Sequence, residues 1–209
     1  MIKSLLASLS AAALLALALP ARAATVVDTG TPNGQPVGAL AFDSFDWVAA
    51  QVTFASASTV DAVQGHILGG ATGETFDISL FANDGGAGPG SLLYTTTATF
   101  GSDGWNGAAG LGGWNVAAGS YWVEFEIQGA DTLGSSSVTG ALFDVGAPNP
   151  LATTVSTNDA GFSYQASPLS FGLRVDASVA STVPWPSSAA LMLAGLACLL
   201  VPTLVRRAR

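Results

Sequence analysis

Among its 209 residues this chain has one cysteine, one histidine and six lysines plus arginines, and each scarcity closes off a class of function. The cysteine, Cys198, sits in an apolar run near the carboxy terminus, so the middle of the chain has no disulfide and must be held by its core alone. The lone histidine, His66, cannot complete a zinc site of ordinary ligand type without a second His or Cys. A Ser-His-Asp triad would have to recruit the same residue, and no serine lies in a G-x-S-x-G elbow. His66 therefore reads as a strand residue without catalytic duty. No glycine loop of the phosphate-binding kind precedes a helix. All 14 acidic residues lie between Asp28 and Asp176, where Arg174 is the only Lys or Arg, leaving that region at −13. So negative a domain argues against nucleic acid or anionic lipid as partners, because binding phosphate takes lysine and arginine.

What is present begins at the ends. Met1–Ala23 has one cation in a short leading region (Lys3), an apolar stretch from Leu5 to Leu19, Pro20, and the small residues Ala21 and Ala23 flanking Arg22. This is a secretory signal peptide with an A-x-A cleavage site, predicting export by the Sec machinery and a mature chain that begins at Ala24. At the other end, Ser178–Thr182 reads as a linker. Val183, Pro184, Trp185, Pro186 and Ser187 follow, then an apolar run from Ala189 to Val205, then Arg206, Arg207 and Arg209. The 17-residue run makes a helix of about 26 Å, just able to cross a hydrocarbon layer of about 30 Å, with the arginines kept on the cytoplasmic side. The prolines keep Val183–Pro186 extended outside the bilayer, a form suited to a protease.

Between these ends the chain reads as all-β. Tyr121, Val123, Phe125 and Ile127 alternate with Trp122, Glu124, Glu126 and Gln128, the period-two pattern of a half-buried strand. The same alternation recurs at Phe76, Ile78 and Leu80, and at Leu169, Phe171, Leu173 and Val175. Further strands are expected at Thr25–Asp28, Val48–Phe54, Thr59–Leu68, Leu92–Phe100 and Thr139–Val145, with glycine-rich turns at Asn83–Gly90 and Gly101–Gly107. No interior segment has a helical period. One-faced antiparallel strands bury their dry faces by pairing two sheets, so residues 24–177 are expected to form a two-sheet antiparallel β-sandwich, jelly-roll-like in topology.

Three chemistries deserve a place in this domain. Glu124 and Glu126, two apart on one strand, project from the same face about 6–7 Å apart, near the spacing of a glycosidase carboxylate pair, with Trp122 beside them. The simpler reading is that they form the solvated face of an amphipathic strand. Trp105, Trp114 and Trp122 are candidates for stacking on a sugar, the first two in a glycine-rich stretch where a loop would expose them. Calcium is the remaining option, through Asp43 and Asp46, Asn83 and Asp84, or Asp103 and Asn106.

The order of the tail, a short proline-bounded motif, an apolar segment and a basic end, resembles the PEP-CTERM sorting signal of exosortase-processed bacterial surface proteins. Trp185 stands where the family's name-giving motif has a glutamate. The resemblance implies a precursor held transiently in the inner membrane of a Gram-negative bacterium, cut by an exosortase-type membrane protease, and passed to the cell surface or extracellular matrix. Within the domain, Phe76–Leu93 and Ala118–Val123 resemble the choice-of-anchor β-domains of bacterial surface proteins, which implies a surface module with no assigned enzymatic activity. The sequence therefore leads to an exported, non-enzymatic surface or matrix protein. A carbohydrate-binding module acting on exopolysaccharide is the second reading, and a glycosidase using Glu124 and Glu126 the third.

Overall fold

A computed structural model describes residues 23–33, 39–136 and 140–179. The expected tail, Val183–Arg209, and the signal peptide up to Arg22, with Ala21, lie outside the described residues. The described residues form twelve strands: β1 (Ala23–Asp28), β2 (Ala39–Phe42), β3 (Trp47–Phe54), β4 (Ser58–Leu68), β5 (Thr75–Ala82), β6 (Leu92–Thr99), β7 (Gly104–Val116), β8 (Gly119–Glu126), β9 (Ala141–Asp144), β10 (Thr154–Thr157), β11 (Gln165–Ala166) and β12 (Leu173–Val179). They form two antiparallel sheets packed as a sandwich. The first runs β1-β12-β4-β9-β2, with β7 on the other edge of β4, and the second runs β11-β10-β3-β8-β5-β6. Only β5 with β6 and β10 with β11 are paired sequence neighbours. Apart from β1 and β2, which lie at opposite edges of the first sheet, the other consecutive strands alternate between the two sheets.

The alternation in the sequence places the core. Val123 and Phe125 of β8, Ile78 and Leu80 of β5, and Val48, Ala50, Val52 and Phe54 of β3 face inward against Val60, Val63 and Ile67 of β4 and Leu173 and Val175 of β12. A bulge in β4 skips Asp61 in its pairing with both β7 and β12, which keeps Val60 and Val63 on the same inner face. At the centre, Phe143 packs edge-on against Phe42, Phe125 and Phe171 at centroid distances of 4.9, 5.0 and 5.2 Å. All four rings are fully buried, and edge-to-face contacts of this kind add to the hydrophobic gain.

Two expectations shift at the boundaries. The glycine-rich stretch holding Trp105 and Trp114 is not an exposed loop: it is the strand β7, whose Gly110–Gly113 segment bulges away from β4 and tucks Leu111 into the core. At the carboxy end, β12 continues through Ser178 and Val179, two residues into the expected linker, because both still pair with β4.

Register fixes two poles. β1 pairs with β12 so that Ala23 faces Ser178, and Val179 faces Ser58. Ser58 is four residues beyond Phe54 at the end of β3. The beginning of β1 and the end of β12 therefore leave from one pole, called proximal here. The opposite, distal pole carries Trp47 at the start of β3, facing Thr157 at the end of β10. Eight residues of β3 separate the poles by about 25 Å.

Phe143→Ala should cost about 3–5 kcal/mol in urea unfolding, since it empties the ring on which the other three pack.

Candidate functional site

The strand β8 is covered on both faces, which the alternating pattern does not announce. Its outer side chains Trp122, Glu124 and Glu126 are 1%, 0% and 3% exposed. The expectation of a solvated face is thus corrected, and so is that of a catalytic pair open to substrate. The cover is a second, smaller core on the outside of the second sheet, made of Ala49, Trp122 and Val155 with Phe81 and Tyr164 against them. Tyr164 comes from the connection between β10 and β11, and its hydroxyl donates to Glu124 Oε1 at 2.8 Å. Glu124 is flanked across the strands by Ala49 and Ser79.

Two glycines allow this cover to close. A Cβ at Gly88 would lie 2.6 Å from the Tyr164 ring, and one at Gly161, where φ is +83°, would lie 2.7 Å from the Trp47 ring. Gly88 belongs to the Asn83–Ser91 connection, so a turn that leaves from the proximal end of β5 folds back over the outer face to meet Tyr164.

The electrostatics follow from the burial. Desolvation, reinforced by the neighbouring charge of Glu126 and opposed by the Tyr164 hydrogen bond, pushes Glu124 from 4.5 up to about 8. Desolvation also raises Glu126, against a hydrogen bond from Ser79 and with added repulsion from Asp77 and Asp131. Gln128 Nε2 donates to Glu126 Oε2 at 2.6 Å, while Glu124 Oε2 and Glu126 Oε1 are buried without a hydrogen-bond partner among the described residues. Glu124 is therefore held mostly as the neutral acid at pH 7. Glu74 is the opposite case: burial is outweighed by the Ser136 hydroxyl and the N–H groups of Ala71, Gly134 and Ser136, which hold it down at about 2.

The tryptophans separate. Trp114 is 7% exposed and stacks on Tyr94 at 5.6 Å, and Trp122 lies in the outer core, so neither offers a face to a sugar. Trp105 is half-buried on the outside of the first sheet, where the Arg174 guanidinium sits 3.8 Å above its ring and His66 meets it edge-on. Arg174 also bonds Asp28, and His66 Nδ1 lies 3.2 Å from Asp144 Oδ2. This arrangement covers Trp105 on one side and ties β1, β4, β7, β9 and β12 together across the sheet.

Four of the six candidate calcium ligands serve their own turns. Asp43 Oδ1 accepts from the N–H groups of Phe45 and Asp46, Asp84 Oδ2 from Ser91, and Asp103 Oδ1 from Gly69. Asn106 bonds Gly101, Ser102 and Gly104. Among the described residues no three acidic, His or Cys side chains are grouped to hold a metal.

Tyr164 is the residue the sequence reading missed. It lies 38 residues beyond the end of β8, with no spacing that links it to Glu124. The available hint was Trp122 among the acids, an aromatic on a face read as wet. No family model matches the chain, and no characterised protein is significantly similar to it.

Stability should be greatest near pH 4.5–5. The native state keeps a proton on Glu124 that an unfolded glutamate of ordinary value 4.5 releases. Stability from this group is thus full below about 4.5 and drains as pH rises through about 8. Glu74, lowered when folded, contributes above 4.5 and is lost as pH falls towards about 2. Melting temperature should fall by roughly 5–10 °C between pH 5 and pH 8. Glu124→Gln should melt with the parent at pH 5 and above it at pH 8. Tyr164→Phe should cost about 1–2 kcal/mol at pH 5, by removing one hydrogen bond to a buried group.

Proposed function

We propose that this chain is an exported, non-enzymatic protein of the bacterial surface or extracellular matrix, held transiently in the inner membrane by its carboxy-terminal tail and cut by an exosortase-type protease near Val183–Ser187. The observation that carries this reading is the pairing of β1 with β12. It brings Ala23–Ala24, the expected signal cleavage site, beside Ser178, from which the tail follows. A domain whose two ends leave from one pole is suited to standing on a membrane by that pole and to being released by a single cut there. The strand β12 ends at Val179, four residues before the motif, so the protease has a short approach that need not unfold the sandwich.

The non-enzymatic part rests on the burial of Glu124 and Glu126 beneath Tyr164 and the outer core. General acid–base work needs a carboxyl within hydrogen-bond reach of substrate, and these two face protein instead. That weakens the glycosidase reading relative to a binding or structural role.

Intact mass spectrometry of the protein from its own host is the test. The expected result is a chain that begins at Ala24 and has lost everything beyond the Val183–Ser187 region. A chain still ending at Arg209 in the membrane fraction would overturn the sorting part of the proposal.

A further inference from the structure

The distal pole carries two aromatic rings that both cores leave outside. Phe162 is 90% exposed and Phe45 is 62% exposed. The other exposed large apolar residues, Leu92, Leu93 and Val179, lie towards the proximal pole, at the start of β6 and the end of β12. Exposure of a phenylalanine costs solubility, so two of them on neighbouring turns need a reason.

Both rings are held on ordered turns. Phe45 sits in the Asp43–Asp46 turn, where Asp43 Oδ1 accepts from the N–H groups of Phe45 and Asp46 at 2.7 and 3.0 Å. Phe162 sits in a knot around Asp159, whose carboxylate accepts from the Thr157 hydroxyl at 2.6 Å, the Ser163 N–H at 2.9 Å and the Ser163 hydroxyl. The Ala160 N–H donates to Phe45 O at 3.1 Å and joins the two turns. Ala160 has φ +56°, the only non-glycine residue in the left-handed region among the described residues. That strained conformation, followed by Gly161, turns Phe162 outward. Two residues after Phe162, Tyr164 docks this segment on Glu124, so the turn is seated on the outer core at one side and presents its ring at the other.

At the same pole lies a shallow open depression of about 110 Å³ lined by Asp46, which follows Phe45 in sequence, and by Ser156, Thr157, Asn158 and Gln165. These supply one carboxylate, two side-chain amides and the Ser156 hydroxyl, which between them accept from and donate to hydroxyl groups, while the Thr157 hydroxyl is given to Asp159. No cation lines it, and Arg174, the one Lys or Arg among the described residues, is engaged by Asp28 and Trp105.

We propose that the distal pole is a binding site for a neutral polysaccharide, with Phe162 and Phe45 packing on the apolar faces of sugar rings and Asp46, Asn158 and Gln165 bonding their hydroxyls. Aromatic faces beside a few convergent polar groups are the usual chemistry of such recognition. The sign of charge selects within the class: a domain with 14 carboxylates and one arginine between Asp28 and Asp176 repels uronate and sulfated chains. The open shape favours a chain passing across the surface over a single enclosed sugar. The site replaces Trp105, Trp114 and Trp122 as the place of sugar contact. It rests on the surface-protein reading for where it meets its ligand, since it lies about 25 Å from the pole where the tail begins.

The test is affinity electrophoresis of the full-length chain in a sugar-free detergent, through gels containing neutral polysaccharides (β-glucan, mannan, galactomannan) or acidic ones (alginate, pectate). The expected result is retardation by at least one neutral polymer and by neither acidic one. Phe162→Ala should weaken it at least tenfold and Asn158→Ala severalfold, both with unchanged melting temperature, while Leu92→Ala changes nothing. Absence of retardation by every neutral polymer, or equal binding by Phe162→Ala, overturns the proposal. So does a monomer–dimer equilibrium abolished by Phe162→Ala in sedimentation, which would make the patch a protein interface. Sugar binding by a chain that keeps Arg209 in its host would remove only the sorting reading, and a cleaved chain that binds no polysaccharide would remove only this one.

Discussion

The structure depends on covering the second sheet twice without a disulfide. On the inside, the phenylalanine cluster around Phe143 joins both sheets, with Phe125 of β8, Phe42 of β2 and Phe171 meeting at one ring. On the outside, Trp122, Val155, Tyr164 and Phe81 make a smaller layer over the same central strand. The outer layer is assembled from late segments: β10 and β11 are short, and they stay in place because Tyr164 descends to Glu124 while Gly88 and Gly161 admit the rings. A buried neutral carboxylic acid is thus the point at which the turn carrying Phe162 is fastened to the sheet. Burying an acid this way costs stability at neutral and higher pH, offset by the apolar surface that the cover takes from water.

The two poles give this packing a functional direction. Pairing of β1 with β12 puts the start of β1 and the end of β12 at one end of the sandwich, and the Asp43–Asp46 and Thr157–Ser163 turns stand at the other. The proximal pole is the proposed place of attachment, since the proline-bounded segment and the apolar run follow β12 in sequence. The distal pole, the proposed place of recognition, has exposed rings and a depression lined by a carboxylate, side-chain amides and a hydroxyl. The first sheet carries the Arg174, Trp105 and His66 contacts on its outer face.

Much of the fold was legible because burial on one face leaves a period of two. Val123 and Phe125, Ile78 and Leu80, and Leu173 and Val175 alternate with polar residues, and they are the inner face of the observed sheets. The strand β7 was not legible: Gly107, Gly110, Gly112 and Gly113 gave it the composition of a loop, and it is a strand because β4 pairs along it. β10 and β11 are too short for a period to show. The site was misread for a related reason. Alternation around Glu124 and Glu126 shows that they oppose Val123 and Phe125, but whether the second face meets water depends on Tyr164, brought there by tertiary structure alone. Phe45 and Phe162 carried no signal, since exposure of a single aromatic in a turn cannot be read from its neighbours.

The most direct test of the account is the ionisation of Glu124, followed by the carbon-13 shift of its side-chain carboxyl in the isotopically labelled protein. A carboxyl that stays protonated through neutrality and titrates near 8 means that the outer core is closed and Tyr164 is seated on it. Titration near the ordinary 4.5 would mean that water reaches the carboxyl. The outer face of β8 would then be the wet face of an amphipathic strand, and the turn carrying Phe162 would have no fixed seat.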